Sequence, residues 1–272
     1  MATLQDRYSN LVDTKCRAAL VLRDGVIFNN RYEGDPKAGS VKIRKTGAAT
    51  VANYDKTNGV SLTADSDQYI TVTINKDKAV NEIIDGYEAS AVPDDMVADR
   101  LDAAAYGLAS AYDIDGAAEL VNGGTTLNDT TALTASTVYD KIVDCRTTLS
   151  KLGVPNDNRR WIIVAPEVMG LILKSDDFIK ASALGDVVVQ TGAIGQIAGF
   201  LVFESSNLGD DIEFVAGHPD YATRVKEWAV DVHIQDLSGS GKYIGASAVQ
   251  GRNVYAHKVT NANAILVKTA NF

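Results

Sequence analysis

Cysteine is nearly absent: Cys16 and Cys145 are the only two in 272 residues. They lie far apart and form no C-x-x-C, which excludes a disulfide framework and a sequence-encoded zinc site, and implies a reducing, cytoplasmic origin. Histidine is scarce too. His218, His233 and His257 are dispersed, with no H-x-x-x-H among them, so each is expected as a strand or turn residue. No run of about eighteen apolar residues occurs, and the start, MATLQDRYSN, lacks a basic cluster followed by an apolar core. Neither a membrane span nor a signal peptide is therefore expected. Positive charge is in deficit, with a net charge of -9, which argues against a protein that grips nucleic acid by neutralising phosphates.

The signatures of common chemistry are also missing. Gly241-Lys242 hints at a phosphate loop, but Asp236 stands five residues before Gly241 and Tyr243 replaces the magnesium-holding Ser or Thr. Gly239, Gly241 and Gly245 miss the dinucleotide fingerprint by one residue. Asp113, Asp115 and Gly116 echo a calcium loop whose first and twelfth positions would be Ala111 and Asn122, leaving the cage without two carboxylates. Ser205-Ser206 has no G-x-S-x-G elbow, and Cys145 falls on the apolar side of a helix. No catalytic, cofactor-binding or metal-ligating residue is singled out. A non-enzymatic protein without a cofactor is expected.

What is present is enough for a sizeable core, since 46% of the residues are hydrophobic and 22% charged. One large domain or two interlocked ones fit this length. Residues 1–33 hold short apolar groups between the turn formers Asp24-Gly25 and Asn29-Asn30. From Gly34 to Asn75 sparse alternating residues (Val41, Ile43; Val60, Leu62; Ile70, Val72, Ile74) and the Asn58-Gly59 turn predict a long two-stranded excursion. It has too little apolar area to stand alone. Val92-Pro93-Asp94-Asp95 reads as a helix start, and Val97, Leu101, Ala104, Leu108 and Ala111 then recur at helical spacing, with Gly116 a weak point. A second amphipathic helix is predicted over 134–152, with Val138, Ile142, Cys145 and Leu149 on one side and Ser136 as its cap.

The central stretch is RRWIIVAPEVMGLILKSDDFIKASALGDVVVQTGAIGQIAGFLVFESSN, Arg159 to Asn207. Trp161–Ala165 is an unbroken apolar run stopped by Pro166, which predicts a strand buried on both faces. A helix follows, then Gly192, Gly195 and Gly199, then a second buried strand at Phe200–Phe203. Beyond Asn207 come a strand at 212–216, an alternating strand at Trp228, Val230, Val232 and Ile234, and two last strands at 254–259 and 264–267.

Apolar strand, Pro-Glu, helix and then G-x-x-G-x-x-x-G-F-x-V-x-x-S-S-N resembles the axial domain of tailed-phage major capsid proteins of the Hong Kong 97 fold. The order of the other segments is similar to that family over nearly the whole chain. The resemblance implies an α+β fold with an N-terminal arm (1–33), an extended loop (34–78), a peripheral domain with a long spine helix (79–125), an axial domain (126–225) and return strands of the peripheral domain (226–272). It implies a structural protein self-assembling as pentamers and hexamers into an icosahedral shell around double-stranded DNA. Such a shell would be assembled in the host cytoplasm and found in the virion, with scaffolding and portal proteins as further partners, no sequence-specific DNA binding and no membrane. An encapsulin-type nanocompartment resembles the same fold but encloses protein cargo. A small-oligomer hydrolase or sugar-binding module is the alternative of another class.

Charge placement suggests where subunits meet. Residues 79–125 carry ten acidic groups and one basic, whereas 34–78 carry seven basic and five acidic. In the family the loop of one subunit lies over the peripheral domain of the next. Lys42, Arg44 and Lys45 are therefore expected to face Asp94, Asp95 and Asp99 across an interface, the alternative being that the acids form an ordinary solvated helix face.

Overall fold

The structure is a computed structural model that describes residues 17–47, 49–61, 67–91, 96–129, 131–175 and 195–270. Its centre is a six-stranded sheet built around β5 (Trp161–Val164), every residue of which is buried. β5 runs parallel to β7 (Phe200–Glu204) and antiparallel to β8 (Ile212–Gly217), pairing Ile162 with both Val202 and Ala216. β11 (Ile265–Thr269) extends the sheet beyond β8, and the two-residue strands β4 (Thr125–Thr126) and β6 (Gln196–Ile197) close its edges.

Two layers explain why β5 needs no polar alternation. Ile162 and Val164 pack under α3 (Val138–Lys151) and α4 (Pro166–Lys174), against Ile142, Cys145, Leu149, Val168 and Ile172. Trp161 and Ile163 face the other way, into Leu22, Ile27, Phe28, Ala117 and Leu120. Successive strand residues thus feed opposite faces, and both faces are dry.

The second sheet has the order β3-β10-β9, from β3 (Lys76–Asp85), β10 (Ala246–Val259) and β9 (Ala222–Asp236). A long helix, α2 (Met96–Gly123), lies across it. Val97, Leu101 and Ala104 meet Val80, Ile84, Val232 and Val249, in keeping with the predicted helical stripe. Gly251 makes the close crossing possible, because a Cβ there would come 2.8 Å from Val232 and 3.0 Å from Leu108. Gly116 does not stop the helix, which runs on to Gly123. It marks the place where Leu22, Phe28 and Arg224 press on α2. A short helix, α1 (Gly86–Ala91), follows β3 directly.

β1 (Ser40–Lys45) and β2 (Gln68–Thr73) form the predicted antiparallel pair, with Ile43 opposite Ile70 and Val41 opposite Val72. Asp55 and Gly59 bridge within the intervening excursion, at the Asn58-Gly59 turn.

Within residues 17–33, Ile27 and Phe28 are fully buried in their own subunit, and the Asn29 main chain pairs with β9 at Thr223. Within 226–272, β10 lies in the sheet crossed by α2, whereas β11 is an interior strand of the six-stranded sheet, where its Ile-Leu-Val run is buried on both faces. One expectation is corrected: the second helix begins at Val138, and its cap residue is Thr137 rather than Ser136.

Candidate assembly interface

The β1–β2 hairpin has two unlike faces because side chains alternate along each strand. Ile43 and Val72 point inward onto Val225 and Ala256, flanked by Tyr32, Val41, Ile70 and Ile74. The stem is thus anchored on its own subunit. Lys42, Arg44 and Tyr69 lie on the opposite face, all exposed, with Arg44 directly across from Tyr69. Lys45 is exposed at the end of β1. Arg44 is bonded to Asp67, which also accepts from the Gly47 amide at 3.0 Å. Beyond the stem, Val51, Tyr54 and Val60 are exposed.

Of the predicted acidic partners, Asp94 and Asp95 lie outside the described residues, while Asp99 sits half-buried in the first turn of α2. The neighbouring acids show what this charge does inside one subunit. Asp102 holds Arg17, whose guanidinium also stacks on Tyr106. Asp113 accepts from the Leu22 amide and from Asn207 Nδ2, both at 2.9 Å. Asp115 accepts from Tyr255 Oη at 2.8 Å and Lys76 Nζ at 3.1 Å; burial pushes its pKa up, and these two bonds together with the charges of Lys76 and Lys78 outweigh burial and lower it. Glu82 faces Arg100 and Glu119 faces Lys258. These acids, none of them among Asp94, Asp95 and Asp99, tie the N-terminal segment, β3 and β10 to α2.

Sequence reasoning missed the polar knot beneath this helix. Arg224, only 4% exposed, lies between the rings of Phe28 and Tyr112, donates to His257 Nε2 at 2.9 Å and the Leu22 carbonyl at 2.8 Å, and pairs with Asp24. Burial and the adjacent Arg224 charge hold His257 neutral, with its pKa down at about 3. His218 is fully buried against Asp157, at 3.0 Å, and His233 is exposed on β9. The histidines thus do not converge. Lys268 is another buried cation, donating to the carbonyls of Asp129 and Thr131 at 2.7 and 3.1 Å. Burial pushes the Cys145 thiol up to about 12, so it is a poor nucleophile. Among the described residues no group of three or more His, Cys, Asp or Glu side chains is placed to hold a metal.

A paired sheet core, a long helix laid across a second sheet and a projecting hairpin together make the Hong Kong 97-type fold, the architecture of tailed-phage capsid subunits. A solved structure of Mycobacterium phage Che8 matches it with a TM-score of 0.81 and 25% sequence identity, over 97% of this chain and 96% of that one. The capsid structure of the cyanophage P-SCSP1u matches with a TM-score of 0.81 at 13% identity, over 98% of this chain and 92% of that one. The mature capsid of bacteriophage PhiM1 matches with a TM-score of 0.74 at 12% identity, over 98% and 92%. No protein-family model and no curated protein matches the sequence.

Proposed function

We propose that this chain is the major capsid protein of a tailed double-stranded DNA phage, a structural subunit that self-assembles into the icosahedral head shell. The observation that carries this reading is the end-to-end likeness to phage structures. Pentamers and hexamers follow from a heterologous interface that nearly closes into rings, with projecting segments joining the rings. Individual contacts can be weak because each subunit makes many. A net charge of -9 suits a wall that encloses DNA without gripping it. No helix among the described residues is long and apolar enough to cross a membrane. Scaffolding and portal proteins are proposed as partners, and the host cytoplasm as the place of assembly.

Lys42, Arg44 and Lys45 of one subunit are proposed to meet Asp94, Asp95 and Asp99 of the next. The exposed outer face of the hairpin supports this. Exposed pairs contribute only about 0.2–1 kcal/mol each, so their effect lies in summation and register. Reversing the three basic residues to Glu should block or misdirect assembly with the subunit still folded by circular dichroism, and Lys at Asp94, Asp95 and Asp99 should partly restore it. Normal assembly of the triple variant at low salt would show that the contact is wrong. The function itself is tested by shell contents. Particles isolated from the host should hold nuclease-protected double-stranded DNA; a protein cargo would mean a nanocompartment instead.

A further inference from the structure

The polar knot beneath α2 is closed without being fully satisfied. His257 Nε2 accepts from Arg224 Nε at 2.9 Å, which places the single proton of the neutral ring on Nδ1. That Nδ1–H is buried and meets no acceptor among the described residues, and Arg224 Nη2 is in the same position. Two buried donors without partners weaken a network that is otherwise tightly packed. Phe28 of the N-terminal segment, Tyr112 of α2 and Tyr255 of β10 close around the imidazole, with ring centroids 5.1, 4.9 and 5.3 Å from its own. The carboxylates around the pair are engaged elsewhere. Asp24 holds Arg224, Asp113 of α2 accepts from the Leu22 amide and Asn207, and Asp115 of α2 is shared by Tyr255 and by Lys76 and Lys78 of β3.

Arg224 also fastens the N-terminal segment. Its Nη1 donates to the Leu22 carbonyl at 2.8 Å and to Asp24 at 2.7 Å, and its guanidinium stacks 4.6 Å from the centre of the Phe28 ring. Leu22, Ile27 and Phe28 in turn cover Trp161 of β5 and Ala117 and Leu120 of α2. We propose that Arg224 and His257 form an acid-operated latch: a solvent proton taken up on His257 Nε2 turns the acceptor of the Arg224 bond into a donor, sets two cations side by side and frees residues 22–28 while both sheets stay folded. Only the Nε–H···Nε2 hydrogen bond is broken, and Arg224 keeps its charge throughout. Asn29 remains as the hinge, since its amide donates to the Ala222 carbonyl at 2.8 Å and its carbonyl accepts from the Arg224 amide at 2.9 Å. Opening exposes His257 to water, where imidazole protonates near pH 6.5, whereas the closed knot resists until about pH 3. The open form therefore binds more protons between those values, and each pH unit of acidification raises the open-to-closed ratio by up to about tenfold.

Trp161 reports on the latch, being fully buried against the segment, and Trp228→Phe removes the only other tryptophan. Acrylamide quenching of Trp161 is followed in the unassembled subunit from about pH 7 to about pH 4, with circular dichroism of the same samples. Quenching should rise steeply with acid while the ellipticity holds. His257→Gln, which offers Arg224 an acceptor and takes up no proton, should leave quenching flat. Should that variant fail to fold, hydrogen exchange of the unsubstituted subunit decides. Measured against the unstructured peptide at each pH, residues 22–28 should lose protection on acidification while β5 and β10 keep theirs. Quenching and protection unchanged down to about pH 4 overturn the proposal. An equal rise in His257→Gln does so as well and makes the carboxylates Asp24 and Asp113 the trigger, and so does a loss of ellipticity in step with the quenching, which would be unfolding of the whole subunit.

Discussion

Arg224 joins three segments that are distant in sequence: Leu22 and Asp24 before the hairpin, Tyr112 on α2, and His257 on β10. Its guanidinium accepts no substitute charge, because the flat group is stacked between two rings while its edges donate hydrogen bonds. His257 accepts one of those bonds only while neutral. In the unfolded chain the imidazole takes up a proton near pH 6.5, whereas in the folded chain it resists until about pH 3. The unfolded state therefore binds more protons between those values, and stability falls as pH drops through that window, by up to about 1.4 kcal/mol per pH unit. His257→Gln keeps an acceptor for Arg224 without a titrating group. Urea denaturation of the unassembled variant between pH 6.5 and 4 should give a distinctly flatter stability profile than the parent chain; parallel profiles would remove His257 as the cause. Nothing local foretold this knot. An arginine in a strand with alternating neighbours reads as solvent-facing, and only the tertiary arrival of Phe28 and Tyr112 buries it.

Elements whose environment repeats along their length were legible from the sequence. The WIIV run announced a strand covered on both faces, and Val97, Leu101, Ala104 and Leu108 set the helix face that lies on the second sheet. Elements defined by a distant partner were not. β11 reads as one more terminal strand, but its neighbours β8 and β4 are chosen by which edge remains open. β10 extends back to Ala246 because it pairs with β9 along nearly its whole length, past irregularities at Gln250/Arg252 and Val254/Tyr255. The first of these brackets Gly251, where a Cβ would come 3.0 Å from Leu108 of α2. Gly251→Val should overpack that crossing and cost about 1–3 kcal/mol, seen as a lowered melting temperature of the unassembled subunit. An unchanged melting temperature would mean that α2 lies farther from the sheet than described. The candidate interface, Lys42, Arg44 and Lys45 against Asp94, Asp95 and Asp99, rests on charge and on the family resemblance; the nearby Asp102, Asp113 and Asp115 serve contacts within the subunit, which charge counting cannot distinguish from contacts between subunits.

At the scale of the whole molecule, the subunit has a completed core and an uncompleted surface. Leu22, Ile27 and Phe28 belong to the core, whereas residues 49–61 are almost all exposed. Hydrogen exchange should therefore find residues 22–29 protected in free and assembled protein alike, and residues 49–61 protected only after assembly, since a segment with few buried contacts opens locally until it is covered. Equal protection of 49–61 in both states would place the tip on its own subunit. The same incompleteness predicts that the chain associates without help from any ligand, through heterologous contacts that continue until they close on themselves. Light scattering of the purified protein, followed across concentration, salt and crowding agents and paired with electron microscopy of the same samples, tests this most directly. Rings or closed shells in the megadalton range are the expected result, and a stable monomer under every condition would contradict the account.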